Sequence, residues 1–417
     1  MKPNAPQDGP PPGHGTRGVS RRRLLATAGA LSTAAAVATF GAPGPARAEG
    51  TGSLPGVVKP LPEELFTVRG TNAETNWAAL RDTGYLTPAD RFFVRNHTTT
   101  PVLDAATWRL RLWGSGLAGA PELDRAVEVD LASLRALPSV TRTAFLECAG
   151  NGRSHYTSQQ GEEASGTAWT LGAVGMARWR GARLGDVLRG AGLTRGAVDV
   201  MPRGLDDAYV DKGVDLGRVR RPLPVAKALD DVLLVYEMNG EPLPYDHGYP
   251  VRVLVPSWVG IASVKWVGDI EVSAEPLSSP WNTEFYRLFG PGHPDEGSAP
   301  LTRQTVKSAF ALAPDARFSA GAPYVLHGRS WSGAGGVHQV RVSTDGGLNW
   351  APAQHHDPPR EAGWTRWSFP WRPRTPGATE LLARATDVTG RRQPDRAVFN
   401  TQGYLFDAVV RHPVTVT

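Results

Sequence analysis

The sequence predicts a mixed α+β domain followed by a small β-sandwich, and three observations carry that expectation. The chain has 417 residues, which at roughly 150 residues per domain is enough for two or three domains, each with its own core. Between residues 77 and 273, strand-like apolar runs alternate with helix-like stretches. Beyond residue 305 the pattern changes to short runs of period two separated by turn signals. With 41% hydrophobic residues, 20% charged residues and 13 tryptophans, the chain is neither disordered nor fibrous.

Taken in order, residues 1–48 read as an export signal. The segment is polar and basic to Arg23, softly apolar from Leu24 to Phe40, and closes on the small-residue pattern Ala46-Arg47-Ala48. Ser20-Arg21-Arg22-Arg23-Leu24-Leu25 resembles the twin-arginine signal, whose route carries folded proteins. The competing reading is a membrane anchor, but the run is made largely of Ala, Thr and Gly and is shorter than the ~20 apolar residues that span a bilayer. The expectation is therefore cleavage, delivery to the periplasm or the extracellular space, and no transmembrane anchor afterwards. The same segment holds six basic residues against one acid, which is the whole net charge of +5. The rest of the chain is balanced, so no basic footprint remains for nucleic acid.

Residues 49–75, rich in Pro, Gly and Thr, read as an irregular lead-in. Strands are expected at 91–94, 107–113, 141–146, 232–236, 251–255 and 263–272, and helices at 131–137 and 184–191. The prolines and glycines of 276–305 mark a connector. The expected boundaries are thus 49–290 for the first domain, 291–305 for the linker and 306–417 for the sandwich. Its strands are expected at 324–331, 337–343, 366–371 and 381–387.

The chain has one cysteine, Cys148, so it forms no intrachain disulfide. A buried core thiol is one reading. The other is a stabilised thiolate, because Cys148 ends an apolar run and opens the glycine-rich loop Cys148-Ala149-Gly150-Asn151-Gly152-Arg153-Ser154, which carries a cation. Gly114-Ser115-Gly116-Leu117-Ala118-Gly119 matches a dinucleotide fingerprint, but strand-like residues follow it where a phosphate-binding helix is needed, so it reads as a turn. His355-His356-Asp357 lacks a further metal ligand nearby and reads as a solvated loop. Other polar, glycine-bounded segments include Phe92-Phe93-Val94-Arg95-Asn96-His97, the stretch 175–184, Tyr236-Glu237-Met238-Asn239-Gly240-Glu241-Pro242-Leu243-Pro244, Asp246-His247-Gly248-Tyr249-Pro250-Val251-Arg252 and Val264-Lys265-Trp266. One thiolate among many cationic and polar donors suits a large anionic metallo-cofactor that brings most of its own ligands.

In order and approximate spacing these segments resemble the sulfite oxidase family of mononuclear molybdenum enzymes, over nearly all of the chain beyond the leader. The resemblance implies a molybdopterin-binding catalytic domain followed by an immunoglobulin-like dimerisation domain. It implies one molybdopterin and one molybdenum per chain, with Cys148 as the thiolate ligand. Arg95 and Arg153 fall where the family binds an oxyanion, Tyr286 beside the reactive centre and Trp169 on the pocket wall. Asn96, His97, Arg178, His247, Arg252, Ser263 and Lys265 fall on segments that hold the pterin and its phosphate; for each, a purely local hydrogen bond is the alternative. Gly152 and Gln402 depart from the pattern, each standing where animal members carry an arginine.

The implied reaction is oxidation of sulfite to sulfate. The chain has neither a haem-attachment motif nor a cytochrome b5 signature, so no haem is expected in it, and electrons would pass to an external carrier such as a c-type cytochrome. A homodimer is expected, because Trp331, Trp350, Trp364, Trp367 and Trp371 offer more aromatic surface than a small sandwich readily buries. The alternatives are a sulfane dehydrogenase subunit of a sulfur-oxidising complex, a sulfoxide reductase, which fits less well because those generally lack a second domain, and a non-catalytic exported binding protein.

Overall fold

The computed structural model describes residues 56–417. The export signal read at 1–48 lies outside the described residues. Among those described, no helix is long and apolar enough to cross a membrane.

The lead-in is less irregular than its composition suggests. Phe66–Arg69 and Asn72–Thr75 form an antiparallel hairpin, and Ala73 continues into a single bridge with Val94. That bridge is all the strand character residues 91–94 have. Pro88, with φ near its fixed value, starts a short 3-10 turn over Ala89–Arg91. The chain then leaves the hairpin without a ladder partner, and Arg95, Asn96 and His97 come free to face a cleft.

The first domain is built on two sheets. One has the order Leu223–Pro224, Asp199–Gly204, Val267–Ser273, Arg109–Trp113 and Val127–Asp130, with its only parallel contact between Val267–Ser273 and Arg109–Trp113. The other pairs Ser139–Glu147 with Val174–Arg183 along its full length and adds Leu233–Met238, flanked by Glu241–Pro242 and Arg252–Leu254. Leu110, Leu112, Val200, Ile270 and Val272 of the first sheet share a core with Leu234, Tyr236 and Val253 of the second and with Leu184, Val187 and Leu188 of a helix. The two expected helices form as Leu131–Ala136 and Leu184–Gly190. Leu131–Ala136 is capped by Asp130, whose carboxylate accepts the Ser133 N–H at 2.7 Å.

Two local differences shape the site. Residues 175–184, singled out in the sequence as a polar, glycine-bounded stretch and not among the expected strands, belong mostly to the central strand Val174–Arg183. Glycine is required there by close approach, since a Cβ on Gly181 would lie 2.1 Å from the Leu234 carbonyl oxygen. The strand expected at 263–272 begins only at Val267. Trp266 has φ 50°, which ends the extended run and turns Ser263, Val264 and Lys265 into the cleft.

The second domain is a sandwich of a four-stranded sheet (Lys307–Phe310, Tyr324–Trp331, Trp364–Trp371, Gln354–His355) and a five-stranded one (Arg317–Phe318, Arg411–Val416, Gly377–Asp387, Val337–Ser343, Ala351–Pro352). Its core joins Leu326 and Trp367 to Val340, Val342, Leu381 and Ala383. The tryptophans are not surplus surface. Trp331 and Trp364 are buried against Phe145, Val174 and Met176 of the first domain, and Trp331 stacks on Trp77 with ring centroids 5.8 Å apart. Trp367 is buried inside the sandwich, Trp371 packs on Phe318, and Arg384 covers Trp350. The expectation that these rings need a second copy to cover them is therefore corrected for Trp331, Trp364 and Trp367, which the chain buries itself; Trp350 and Trp371 stay partly exposed.

Candidate active site

The cysteine loop is held at every step. Cys148 N–H donates to the Ala173 carbonyl at 3.0 Å, Asn151 N–H to the Cys148 carbonyl at 3.0 Å, and Arg153 N–H to the Gly150 carbonyl at 2.9 Å. Gly152 has φ 93°, a left-handed turn that feeds the helix Ser154–Gln160. A segment between the last two long sandwich strands folds back onto this loop. Leu405 N–H donates to the Ala149 carbonyl at 2.8 Å, and Phe406 packs against Gly152.

Cys148 stands where two clefts meet, and Arg95, His97 and Tyr286 line both of them with it.

Asn96, His247, Arg252, Ser263 and Lys265 line the inner cleft, with the carboxylates Asp206 and Asp246. Lys265 Nζ donates to Asn96 Oδ1 and, at 2.7 Å, to the Asp246 carbonyl. Arg252 is buried and donates to the carbonyls of His247 and Ser263 at 2.9 Å each, its guanidinium 5.3 Å from the Trp179 ring. Ser263 Oγ accepts the Val255 N–H at 2.9 Å. Burial lowers the Arg252 value to about 9. It also pulls the Lys265 amine well below its usual range, helped by Arg252 and Arg95 and opposed by Asp246 and Asp206. His247 is held well below its ordinary value by burial and then by Lys59 and Lys265, and its buried Nε2 has no hydrogen-bond partner among the described residues. Buried cations beside an unpartnered imidazole nitrogen fit a ligand with several anionic acceptor atoms, as a pterin phosphate has.

The outer cleft is lined by Arg153, Thr167, Trp169, Tyr209, Gln402 and Tyr404. Arg153 donates from Nε to the Gln402 carbonyl at 2.8 Å and from Nη1 to the Thr167 carbonyl at 2.9 Å, with its guanidinium 5.3 Å from the Tyr404 ring. Burial alone would lower the Arg95 value, but Tyr286, Cys148, Tyr404 and Tyr209 outweigh it and raise it, so Arg95 stays charged. Tyr286 and Tyr404 stack with centroids 5.1 Å apart, and burial raises both phenols, which keeps them protonated donors. His97 is neutral, lowered well below its usual value by burial, then by Arg95 and Lys265, and its Nε2 accepts the Trp281 indole N–H at 3.2 Å.

Twelve of the thirteen sequence candidates thus converge on Cys148 or its two clefts. Arg178 does not. On the strand Val174–Arg183 the alternation buries Ala177 and Trp179 and leaves Arg178 exposed on the other side. The sequence reading missed Asp206, Tyr209, Asp246 and Tyr404. Asp246 lay next to His247 in a segment the sequence singled out and Tyr404 lies two residues after Gln402, whereas nothing in the sequence around Asp206 or Tyr209 marks them. His355 and His356 lie away from the cleft: His356 Nε2 bonds Ser368 Oγ and Asp357 pairs with Arg366. Among the described residues no cluster of His, Cys, Asp or Glu could hold a metal ion unaided.

A single thiol stands at the mouth of a cationic, hydrogen-bonding cleft, and the similarities of the chain give the class of protein, a molybdopterin-binding oxidoreductase. Residues 97–281 match the oxidoreductase molybdopterin binding domain and residues 305–417 the Mo-co oxidoreductase dimerisation domain. The chain is 38% identical to mitochondrial sulfite oxidase of Homo sapiens over 80% of its own length and 62% of that protein's. It is 35% identical to the sulfite oxidase of Gallus gallus, covering 78% of this chain and 72% of the relative, and 31% identical to that of Arabidopsis thaliana, covering 80% and 89%. The chain belongs to the sulfite oxidase family. Among solved structures, the sulfane dehydrogenase SoxCD from Paracoccus pantotrophus superposes with a TM-score of 0.69 at 27% identity, over 89% of this chain and 92% of that one. The chain spans about three fifths of the length of the mammalian relatives.

Proposed function

We propose that the protein is an exported sulfite dehydrogenase that converts sulfite and water to sulfate, two protons and two electrons, and hands the electrons to a separate carrier such as a c-type cytochrome. The observation that carries this reading is that Arg95, Arg153, Tyr286 and Tyr404 line the outer cleft together with Cys148. Asn96, His247, Arg252, Ser263 and Lys265 would hold the pterin and its phosphate, with Cys148 as the protein's ligand to molybdenum. Bound there, the cofactor supplies the two-electron redox centre and the oxygen-transfer chemistry. The chain's own residues do the rest. Arg95 and Arg153 bind and orient the oxyanion by charge-assisted hydrogen bonds. Tyr286 and Tyr404, kept protonated, donate to its oxygens, and Trp169 closes the wall against water.

The second reading, a sulfane dehydrogenase subunit, is favoured by Gln402. Its amide Nε2 is committed to the Glu284 carbonyl at 2.8 Å, so the outer cleft has one cation fewer than the family pattern provides. Steady-state turnover of sulfite with cytochrome c as acceptor separates the two. Turnover that saturates with sulfite supports the first; no sulfite turnover by protein that carries molybdenum, together with oxidation of a protein-bound persulfide, would favour the second.

A further inference from the structure

Directly behind the cysteine loop lies a buried ion pair that joins the two domains. Glu147 ends the strand Ser139–Glu147 and is 0% exposed; Lys307 opens the first sandwich strand and is 1% exposed. Lys307 Nζ stands 2.8 Å from Glu147 Oε1. The same oxygen accepts Asn151 Nδ2 at 2.9 Å, and Oε2 accepts the Trp331 indole N–H at 2.9 Å. Gln304 Nε2 donates to the Glu147 carbonyl at 2.7 Å. Asn151 carries the connection forward, because its own N–H donates to the Cys148 carbonyl and its Oδ1 accepts the Ala173 N–H at 3.0 Å. A continuous chain of hydrogen bonds therefore runs from a sandwich lysine to the residue that presents the thiol.

Two facts make this more than a domain clasp. Packing alone would be served by apolar side chains, and Trp331 already seals the junction, yet a full charge is buried on each side of it. The carboxylate also belongs to the residue next to Cys148, in surroundings dry enough for an unbalanced charge to act over several ångströms. We propose that Lys307 and Glu147 are a positioning pair. They fix the Cys148 loop from the second domain and keep the charge behind the thiolate balanced, which sets the reduction potential of the metal that Cys148 holds. The proposal rests on the reading of Cys148 as a molybdenum ligand.

Its signature is a pair of shifts of opposite sign. Lys307→Met strands a negative charge behind the ligand, which favours the more highly charged oxidised metal and lowers the potential. Glu147→Gln strands the lysine's positive charge and raises it. The double variant balances again and returns toward the wild type. A merely structural pair would move both single variants the same way, or neither. The test is a redox titration of the metal-loaded protein, followed by the electron paramagnetic resonance of the half-reduced metal, in the wild type, both single variants and the double variant. Opposite shifts that cancel in the double variant support the proposal; shifts of one sign, or none, overturn it. If a single variant fails to fold, the double variant decides: folded and at the wild-type potential supports charge balance, while failure to fold or a displaced potential overturns it. Metal analysis of the wild type keeps the two readings apart. Molybdenum present with unmoved potentials defeats the positioning pair alone, and molybdenum absent defeats the cofactor reading and the pair with it.

Discussion

Gln402 puts an amide in a cleft that also holds the guanidinium groups of Arg95 and Arg153 and the phenols of Tyr209, Tyr286 and Tyr404. Its backbone carbonyl steadies Arg153, its Nε2 is tied to Glu284, and its Oε1 is buried without a partner among the described residues. A guanidinium there would add a charge-assisted bond to the bound anion, where 1.4 kcal/mol is one decade in affinity. Gln402→Arg should therefore lower the KM for sulfite by about tenfold and strengthen inhibition by sulfate. Unchanged values of both would mean that the side chain stays turned to Glu284. The second departure from the family pattern behaves differently. Gly152 has φ 93°, and a Cβ there would lie 3.1 Å from Phe406, so an arginine here would strain the backbone and require the Phe406 side chain to shift. Gly152→Arg should cost about 1–3 kcal/mol of stability, read as a lower denaturation midpoint, with no gain in sulfite affinity. Both positions were legible as departures, because each sits inside a recognisable motif. What each could tolerate was not, because that depends on Glu284 and Phe406, which are remote in sequence.

The helix Ser154–Gln160 links the cysteine loop to the C-terminal segment through His155, whose ring lies 5.5 Å from that of Phe406 and whose buried Nε2 has no partner among the described residues. Burial pulls its pKa from 6.5 down to about 4. In the unfolded chain the ring takes its proton near 6.5, so between these values the unfolded state binds more protons than the folded one. The stability is fully present above about pH 6.5 and is lost as pH falls toward 4, by up to about 3 kcal/mol at 1.36 kcal/mol per pKa unit. Asp206 works in the opposite sense, since burial pushes its carboxyl up to about 6. Comparison of the wild type with His155→Phe isolates the histidine. Denaturant unfolding at pH 7 and pH 4.5 should show a smaller acid loss in the variant; equal losses would place the ring in water. At this scale the helices Leu131–Ala136 and Leu184–Gly190 were legible from apolar spacing. Val174–Arg183 was hidden because close packing demands glycine inside a strand, and residues 91–94 read as a strand because apolar content says nothing about whether a ladder partner exists.

Across the whole molecule, both domains build the site. Gln402 and Tyr404, and Lys307 through its pair with Glu147, reach the cysteine loop from the C-terminal half, so a boundary drawn near residue 290 does not separate the chemistry. No periodicity in the sequence announces that return. The dimer expectation now stands on the match of residues 305–417 to a dimerisation domain rather than on the tryptophans, of which Trp331, Trp364 and Trp367 are buried within the chain. Sedimentation at micromolar concentration should give twice the chain mass, and a clean monomer would contradict it. Everything proposed for the reaction depends on Cys148 holding molybdenum, so the most direct test is elemental analysis of the purified protein beside Cys148→Ser. The expected result is one molybdenum per chain in the wild type and none in the variant, with circular dichroism unchanged between them. A wild type that oxidises sulfite without molybdenum, or a variant that keeps its full complement of the metal, would contradict it.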